Sequence, residues 1–325
     1  MRKRIGALFM ITALAMTMLV GCQSGNGTGK QNIKIFYTLS ESGDYYENLA
    51  NMAGEKAAAE GVQLDVAYAE NSIEAQDEQI KKAVAEGYDV IMCGLVSPDT
   101  ATAVKAVAGD IPIVFVNSSP DDKVLEKDQY IYVASDEAVA GQYQAEYALE
   151  KLADKSELNV VVFKGPKGHS ATEGRTEGAK RVLEASGKKI NYVFEDYADF
   201  NAEKAQGLLE IFFKTGVSID CVICNNDEMA IGAIAACQNA GIDTDSVLFL
   251  GIDASANGCV AMKEGTLAFS AYQNNKAQSE TAVEVAIKLA NGQSVQGMDG
   301  ATEDGKYVWI PFEKVDINNV AQYSQ

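Results

Sequence analysis

Short apolar runs alternate with amphipathic stretches along this chain. Ile33–Leu39, Val62–Ala69, Val90–Leu95, Ile111–Asn117 and Tyr130–Ser135 form a first series of strand-length runs. Asn159–Gly165, Ile190–Tyr197, Cys221–Asn226, Val247–Asp253, Leu267–Gln273 and Tyr307–Phe312 form a second. Most lack the period-two alternation of a half-exposed strand, as parallel strands buried on both faces do. Between them lie amphipathic segments such as Ala138–Leu152, Glu203–Lys214 and Gln278–Ala290. In the last, Ala282, Val285, Ala286 and Leu289 recur at helical spacing. So long a strand–helix alternation predicts an α/β protein with two doubly wound parallel-sheet lobes. No Pro/Ser-rich linker separates consecutive domains, so the chain is expected to cross between the lobes several times through a hinge. The expected division is 32–135 plus 274–304 for the first lobe and 136–273 plus 305–325 for the second.

One apolar stretch stands outside this rhythm. Arg2, Lys3 and Arg4 precede the run Ile5–Val20, which has the charged start and apolar middle of an export signal. Its 16 residues fall short of the roughly 20 needed to span a bilayer. The run ends in Leu19-Val20-Gly21-Cys22, which resembles a bacterial lipoprotein box and implies diacylglycerol on Cys22 after removal of residues 1–21. The polar, glycine-rich residues 22–31 are expected to form a flexible tether.

Charge narrows the partners. The chain carries 27 basic against 46 acidic residues, a net −19, which becomes −22 once the basic leader is removed. Such a surface repels nucleic-acid phosphates and anionic headgroups, so membrane contact is expected through the lipid alone. Five cysteines follow Cys22 in scattered positions that give no disulfide framework. Cys221-Val-Ile-Cys224 has redox or zinc spacing, but it sits in an apolar strand pattern with no second pair or histidine cluster, so buried inert thiols are expected. No cofactor or metal site and no oligomer are expected.

In doubly wound sheets ligands bind beyond the carboxyl ends of the strands, and here those ends are polar or aromatic. Strand one leads to Tyr45 and Tyr46, strand four to Asn117 and Ser118, and strand six to His169 and Arg175. Phe200, Asn226, Asp253 and Gln273 follow strands seven to ten. Aromatic faces suit the C–H faces of a sugar ring, and planar amides, carboxylates and guanidinium suit adjacent hydroxyls as paired donors or acceptors. Each residue also has a plainer reading. One of the two tyrosines is expected in the core, Asp227 reads equally as a helix N-cap, a lone histidine is usually just exposed, and Arg175 suits a surface ion pair.

From Ile33 to about Phe312 the chain resembles the type I periplasmic sugar-binding proteins, the ribose and galactose/glucose group. The stretch Asn225-Asn226-Asp227-Glu228-Met229-Ala230-Ile231-Gly232-Ala233 carries most of the likeness, with Gly251-Ile252-Asp253, Arg175-Thr176-Glu177-Gly178 and Lys164-Gly165-Pro166-Lys167-Gly168-His169. The resemblance implies Tyr45 or Tyr46 on one sugar face and Phe200 on the other. It places Asn117, Ser118, His169, Arg175, Asn226 and Asp253 on hydroxyls, and Gln273 near a hinge crossing. Ala171 and Phe200 depart from the galactose/glucose pattern, Asn117-Ser118 departs from the ribose one, and the calcium loop of some relatives is missing. The implied function is a solute-binding lipoprotein that delivers a galactose/glucose-like monosaccharide to an ABC transporter permease. Alternatives are the ligand-binding part of a sensor or chemoreceptor system and a binder of nucleosides or autoinducers. Catalysis is not expected: there is no phosphate loop, dinucleotide fingerprint or nucleophile elbow, and a single histidine.

Overall fold

A computed structural model describes residues 32–323; the leader and the whole tether, Cys22 included, lie outside the described residues. In chain order, β1 (Lys34–Leu39), α1 (Asp44–Glu60), β2 (Gln63–Tyr68), α2 (Ile73–Ala85), β3 (Val90–Cys93), α3 (Ala101–Ala108), β4 (Ile113–Val116) and β5 (Tyr130–Ala134) come first. Then follow α4 (Glu137–Lys151), β6 (Glu157–Lys164), α5 (Ser170–Ala185), β7 (Lys189–Tyr197), α6 (Ala202–Phe212) and β8 (Cys221–Cys224). The chain continues through α7 (Asp227–Asn239), β9 (Leu248–Ile252), α8 (Ala256–Lys263), β10 (Phe269–Tyr272), α9 (Asn275–Ala290), β11 (Tyr307–Trp309) and β12 (Glu313–Val315).

These strands form two six-stranded sheets, ordered β11-β5-β4-β3-β1-β2 and β12-β10-β9-β8-β6-β7. Every pairing is parallel except β10 with β12. The strand order reverses between β1 and β3 in one sheet and between β6 and β8 in the other, the switch points where such sheets open a crevice. Helices cover both faces of each sheet, which explains the unbroken apolar strands. Ala53 and Val285 from α1 and α9 pack on Tyr37 and Met92, and Ile80 and Val104 from α2 and α3 pack on Ile91 and Phe115. In the second sheet Leu209 and Ala233 cover Phe163 and Phe249, while Ala145 and Leu183 cover Val160 and Leu250. Each such large side chain contributes ~1.5–3 kcal/mol by leaving water.

The chain passes between the sheets at 135–136, 273–274 and 310–312. The last crossing corrects the expected boundary at 305. Tyr307–Trp309 pairs with β5, and Tyr307 and Trp309 pack edge-on against Tyr132. The apolar run Tyr307–Phe312, read as one strand, holds only the short β11 and the crossing that leads to β12 in the other sheet. Pro311 lacks the N–H that a continuous ladder needs, and the chain changes sheets there.

Cys221 and Cys224 are buried and free, and they lie in separate core clusters on opposite faces of β8, so they do not meet. Asp227 is not the cap of α7: the Asn226 side chain accepts the Met229 N–H at 3.0 Å in that role.

Candidate functional site

A cavity of about 270 Å³ lies between the carboxyl ends of the two sheets. The loop after β1 brings Tyr45 and Tyr46 to it on the first turn of α1. The Tyr45 hydroxyl donates to Asn117 Oδ1 at 2.9 Å, and its ring meets Tyr46 edge-on at 5.3 Å. Tyr46 packs on the first-sheet core as well as on the cavity wall, so it fills the core role expected of one tyrosine.

Asn117 follows β4 with φ 66°, a left-handed conformation uncommon outside glycine. Tyr132 holds it there, its hydroxyl donating to the Asn117 carbonyl at 2.9 Å. The same turn removes Ser118 from the site. Its N–H folds back onto the Val116 carbonyl at 2.7 Å, and Ser118 is buried without lining the cavity.

Across the cleft, Arg175 is the centre of the second lobe's wall. It is buried, and its three nitrogens donate to Glu137 Oε2 (2.6 Å), the Asn225 carbonyl (2.6 Å) and Gln273 Oε1 (3.2 Å). The Asp253 carboxylate lies 3.6 Å from it. This is not the surface ion pair that the plainer reading allowed. Glycine makes the arrangement possible. Where α4 passes α5, a Cβ on Gly141 would sit 1.9 Å from the Arg175 carbonyl, and one on Gly178 2.0 Å from that of Ala138. Only bare backbones approach so closely, and the approach sets Glu137 beside the guanidinium.

The remaining wall comes from loops. His169 caps α5, its Nδ1 accepting the Ala171 N–H at 3.2 Å, so the ring proton resides on Nε2. Burial and then the Arg175 charge push its pKa down to about 4, which keeps it neutral at physiological pH. Its ring stands edge-on to Phe200 at 5.5 Å. Phe200 has φ 57° after β7, and its ring occupies the space a Cβ on Gly165 would need. Asn226 lines the cavity too, but its amide oxygen is committed to the α7 cap. Asp253 has φ 108° after β9, and burial pushes its carboxyl up to about 7, with Arg175 opposing and Glu137 and Glu228 adding to the rise. Gln273 Nε2 is buried with no hydrogen-bond partner among the described residues, an uncommon and costly state.

Nine of the ten residues named from sequence as ligand contacts therefore line one cavity, and Ser118 does not. Glu41, Pro166 and Ala171 also line it. Glu137 is the functional partner that sequence reading missed. Asp136-Glu137 at the start of α4 looks like an ordinary helix opening, and only the α4–α5 approach reveals the Arg175 contact.

Polar groups thus ring the cavity, with aromatic rings at either side. Among the described residues no helix is long and apolar enough to cross a membrane, and no cluster of three or more His, Cys, Asp or Glu is placed to hold a metal ion.

A family profile described as a periplasmic binding protein domain matches residues 35–294. A putative rhizopine-binding protein of Rhizobium meliloti is 33% identical over 267 residues, 81% of this chain and 83% of the relative. A D-galactose/methyl-galactoside binding periplasmic protein of Haemophilus influenzae is 25% identical, with 97% and 98% of the two chains covered. Among solved structures, an ABC transporter solute binding protein from Bacillus halodurans with bound myo-inositol superposes with a TM-score of 0.77. It is 30% identical, covering 92% of this chain and 99% of that one.

Proposed function

The chain belongs to the type I periplasmic sugar-binding proteins, the solute-binding components of ABC transporters and not enzymes, and from that premise we propose that it captures one neutral cyclic polyol, a hexose or an inositol, in the interlobe cavity. The observation that carries the reading is the set of forked polar groups, Arg175, Asp253, Gln273 and Asn117, between Tyr45 and Phe200. The buried, unpartnered Gln273 Nε2 supports it as a donor waiting for a ligand oxygen. At about 270 Å³ the cavity lies just below the usual small-molecule range of roughly 300–1,000 Å³, which favours a single ring.

Charge supports neutrality in the ligand. Glu137 offsets the Arg175 charge, while the Glu41 carboxylate faces the cavity together with the Asp253 carboxyl, which ionises near pH 7. A sugar acid or sugar phosphate would meet net negative charge there. The ligand holds the lobes together only through contacts made in the closed state. In that state the closed form docks on the permease, and the protein is a monomer tethered to the membrane by lipid on Cys22.

A thermal-shift screen tests the reading, because a ligand that binds the native state raises the melting temperature by mass action. Among D-galactose, D-glucose, D-ribose, myo-inositol, D-glucuronate and adenosine, stabilisation is expected from a neutral sugar or inositol and not from glucuronate. Stabilisation by adenosine alone would replace the polyol reading with a nucleoside one.

A further inference from the structure

Asp227 carries a fully buried carboxyl group on the first turn of α7, outside the cavity wall. The α7 capping role, one of its two readings from sequence, is taken by Asn226. A buried acid with nothing to cap is costly unless other groups satisfy it.

Those groups lie on the turn that presents Asp253 and on the neighbouring strand β10. Asp227 Oδ2 accepts the Ser255 N–H at 2.7 Å, and Oδ1 accepts the Ser270 hydroxyl at 2.7 Å. Ser270 Oγ in turn accepts the Ala254 N–H at 2.9 Å. One carboxyl group thus fixes, directly or through Ser270, the two amides that follow Asp253. The turn needs fixing, because Asp253 (φ 108°) and Ala254 (φ 46°) are consecutive non-glycine residues in left-handed backbone. The surroundings are shaped to the carboxylate: a Cβ on Gly251 would lie 2.0 Å from Oδ1 and one on Gly258 2.2 Å from Oδ2.

We infer that Asp227 is a positioning residue of the ligand site, one that touches no ligand but holds Asp253 at the angle from which it meets a polyol hydroxyl. The inference rests on the polyol reading for its effect on affinity, but the positioning itself can be tested without ligand.

The experiment compares wild type, Asp227→Ala and Asp227→Asn by amide hydrogen exchange of the ligand-free protein and by calorimetry. The calorimetric probe is whichever of D-galactose or myo-inositol the wild type binds. In Asp227→Ala the Ala254 and Ser255 amides should exchange at least tenfold faster while those of Val222 and Leu250 keep their protection. The dissociation constant should rise at least tenfold. Asp227→Asn, whose amide oxygen still accepts from Ser255, should recover most of both. In an Asp253→Ala background, Asp227→Ala should add less than twofold, because the residue acts through Asp253. Unchanged protection at Ala254 and Ser255 would overturn the inference, as would additive losses in the double variant. Should Asp227→Ala fail to fold, Ser270→Ala removes the link to Ala254, and its faster exchange at that amide supports positioning while unaltered exchange refutes it. If the wild type binds neither probe, the polyol reading fails for these ligands and the exchange data still decide the positioning.

Discussion

At the scale of single residues, Arg175 and Asp253 dominate. Asp253 was visible in the sequence because a charged group at the end of an apolar strand has few structural reasons to be there, whereas Arg175, inside α5, was visible through its Arg-x-x-Gly pattern. Asp253→Ala should weaken polyol binding at least tenfold, about 1.4 kcal/mol, because the hydroxyls it serves would lose their acceptor on a desolvated wall. Isothermal titration checks this, and an unchanged affinity removes Asp253 from the contact set. The buried Asp227 and the half-buried Asp253 also predict a pH response of the ligand-free protein. Burial, with the Asp253 charge adding, lifts Asp227 from 3.8 to about 8, and Asp253 rises to about 7 beside Arg175, Glu137 and Glu228. A carboxyl whose folded pKa is raised adds stability below its unfolded value and loses it as pH rises through the folded value. Melting temperature should therefore fall between pH 6.5 and 8.5, a window in which His169, lowered from 6.5 to about 4, contributes little. The fall should be smaller in Asp227→Asn; an equal fall in both proteins would mean that Asp227 is already ionised. Glu137 and the buried role of Asp227 were not legible, since each looks in sequence like an acidic residue opening a helix.

At the scale of elements, strand and helix positions followed from apolar periodicity, and the helix ends from their caps. Gln278–Ala290, for instance, gains a first turn because Asn274 accepts the Ala277 N–H. The α4–α5 approach was not readable, because a glycine on a helix does not announce whether a second backbone lies against it. Gly178→Ala should cost ~1–3 kcal/mol by forcing the helices apart, and should weaken ligand binding as Glu137 leaves Arg175. Gly207, in α6, has open space around its Cβ position, so Gly207→Ala should stabilise by ~0.5–1 kcal/mol through helix propensity alone. Denaturant melts of the pair give opposite signs if close packing is the cause. Equal responses would assign the effect to backbone flexibility instead.

At the scale of the whole molecule, the guanidinium that faces the cavity is tied to the hinge. Glu137 follows the first crossing and Gln273 sits on the second, and both hold Arg175. The lobes also meet directly where the Ser119 N–H donates to Ser170 Oγ at 3.3 Å. The proposed lipid anchor is tested at this scale as well. A Cys22→Ala protein should leave the membrane fraction yet bind ligand with unaltered affinity, and membrane retention after fractionation would refute lipid attachment. The sequence by itself determined the α/β class, the two lobes, the multiple crossings and most of the residues on the cavity wall. Those depend on local periodicity and on strand ends, which are contiguous in the chain. Tertiary structure alone decided that Ser118 turns away, that Tyr307–Trp309 stays with the first sheet, and that Glu137 and Asp227 support the site from behind. Each of those depends on which distant backbone comes close enough to exclude a side chain or to satisfy a buried charge, and no spacing along the chain encodes that distance.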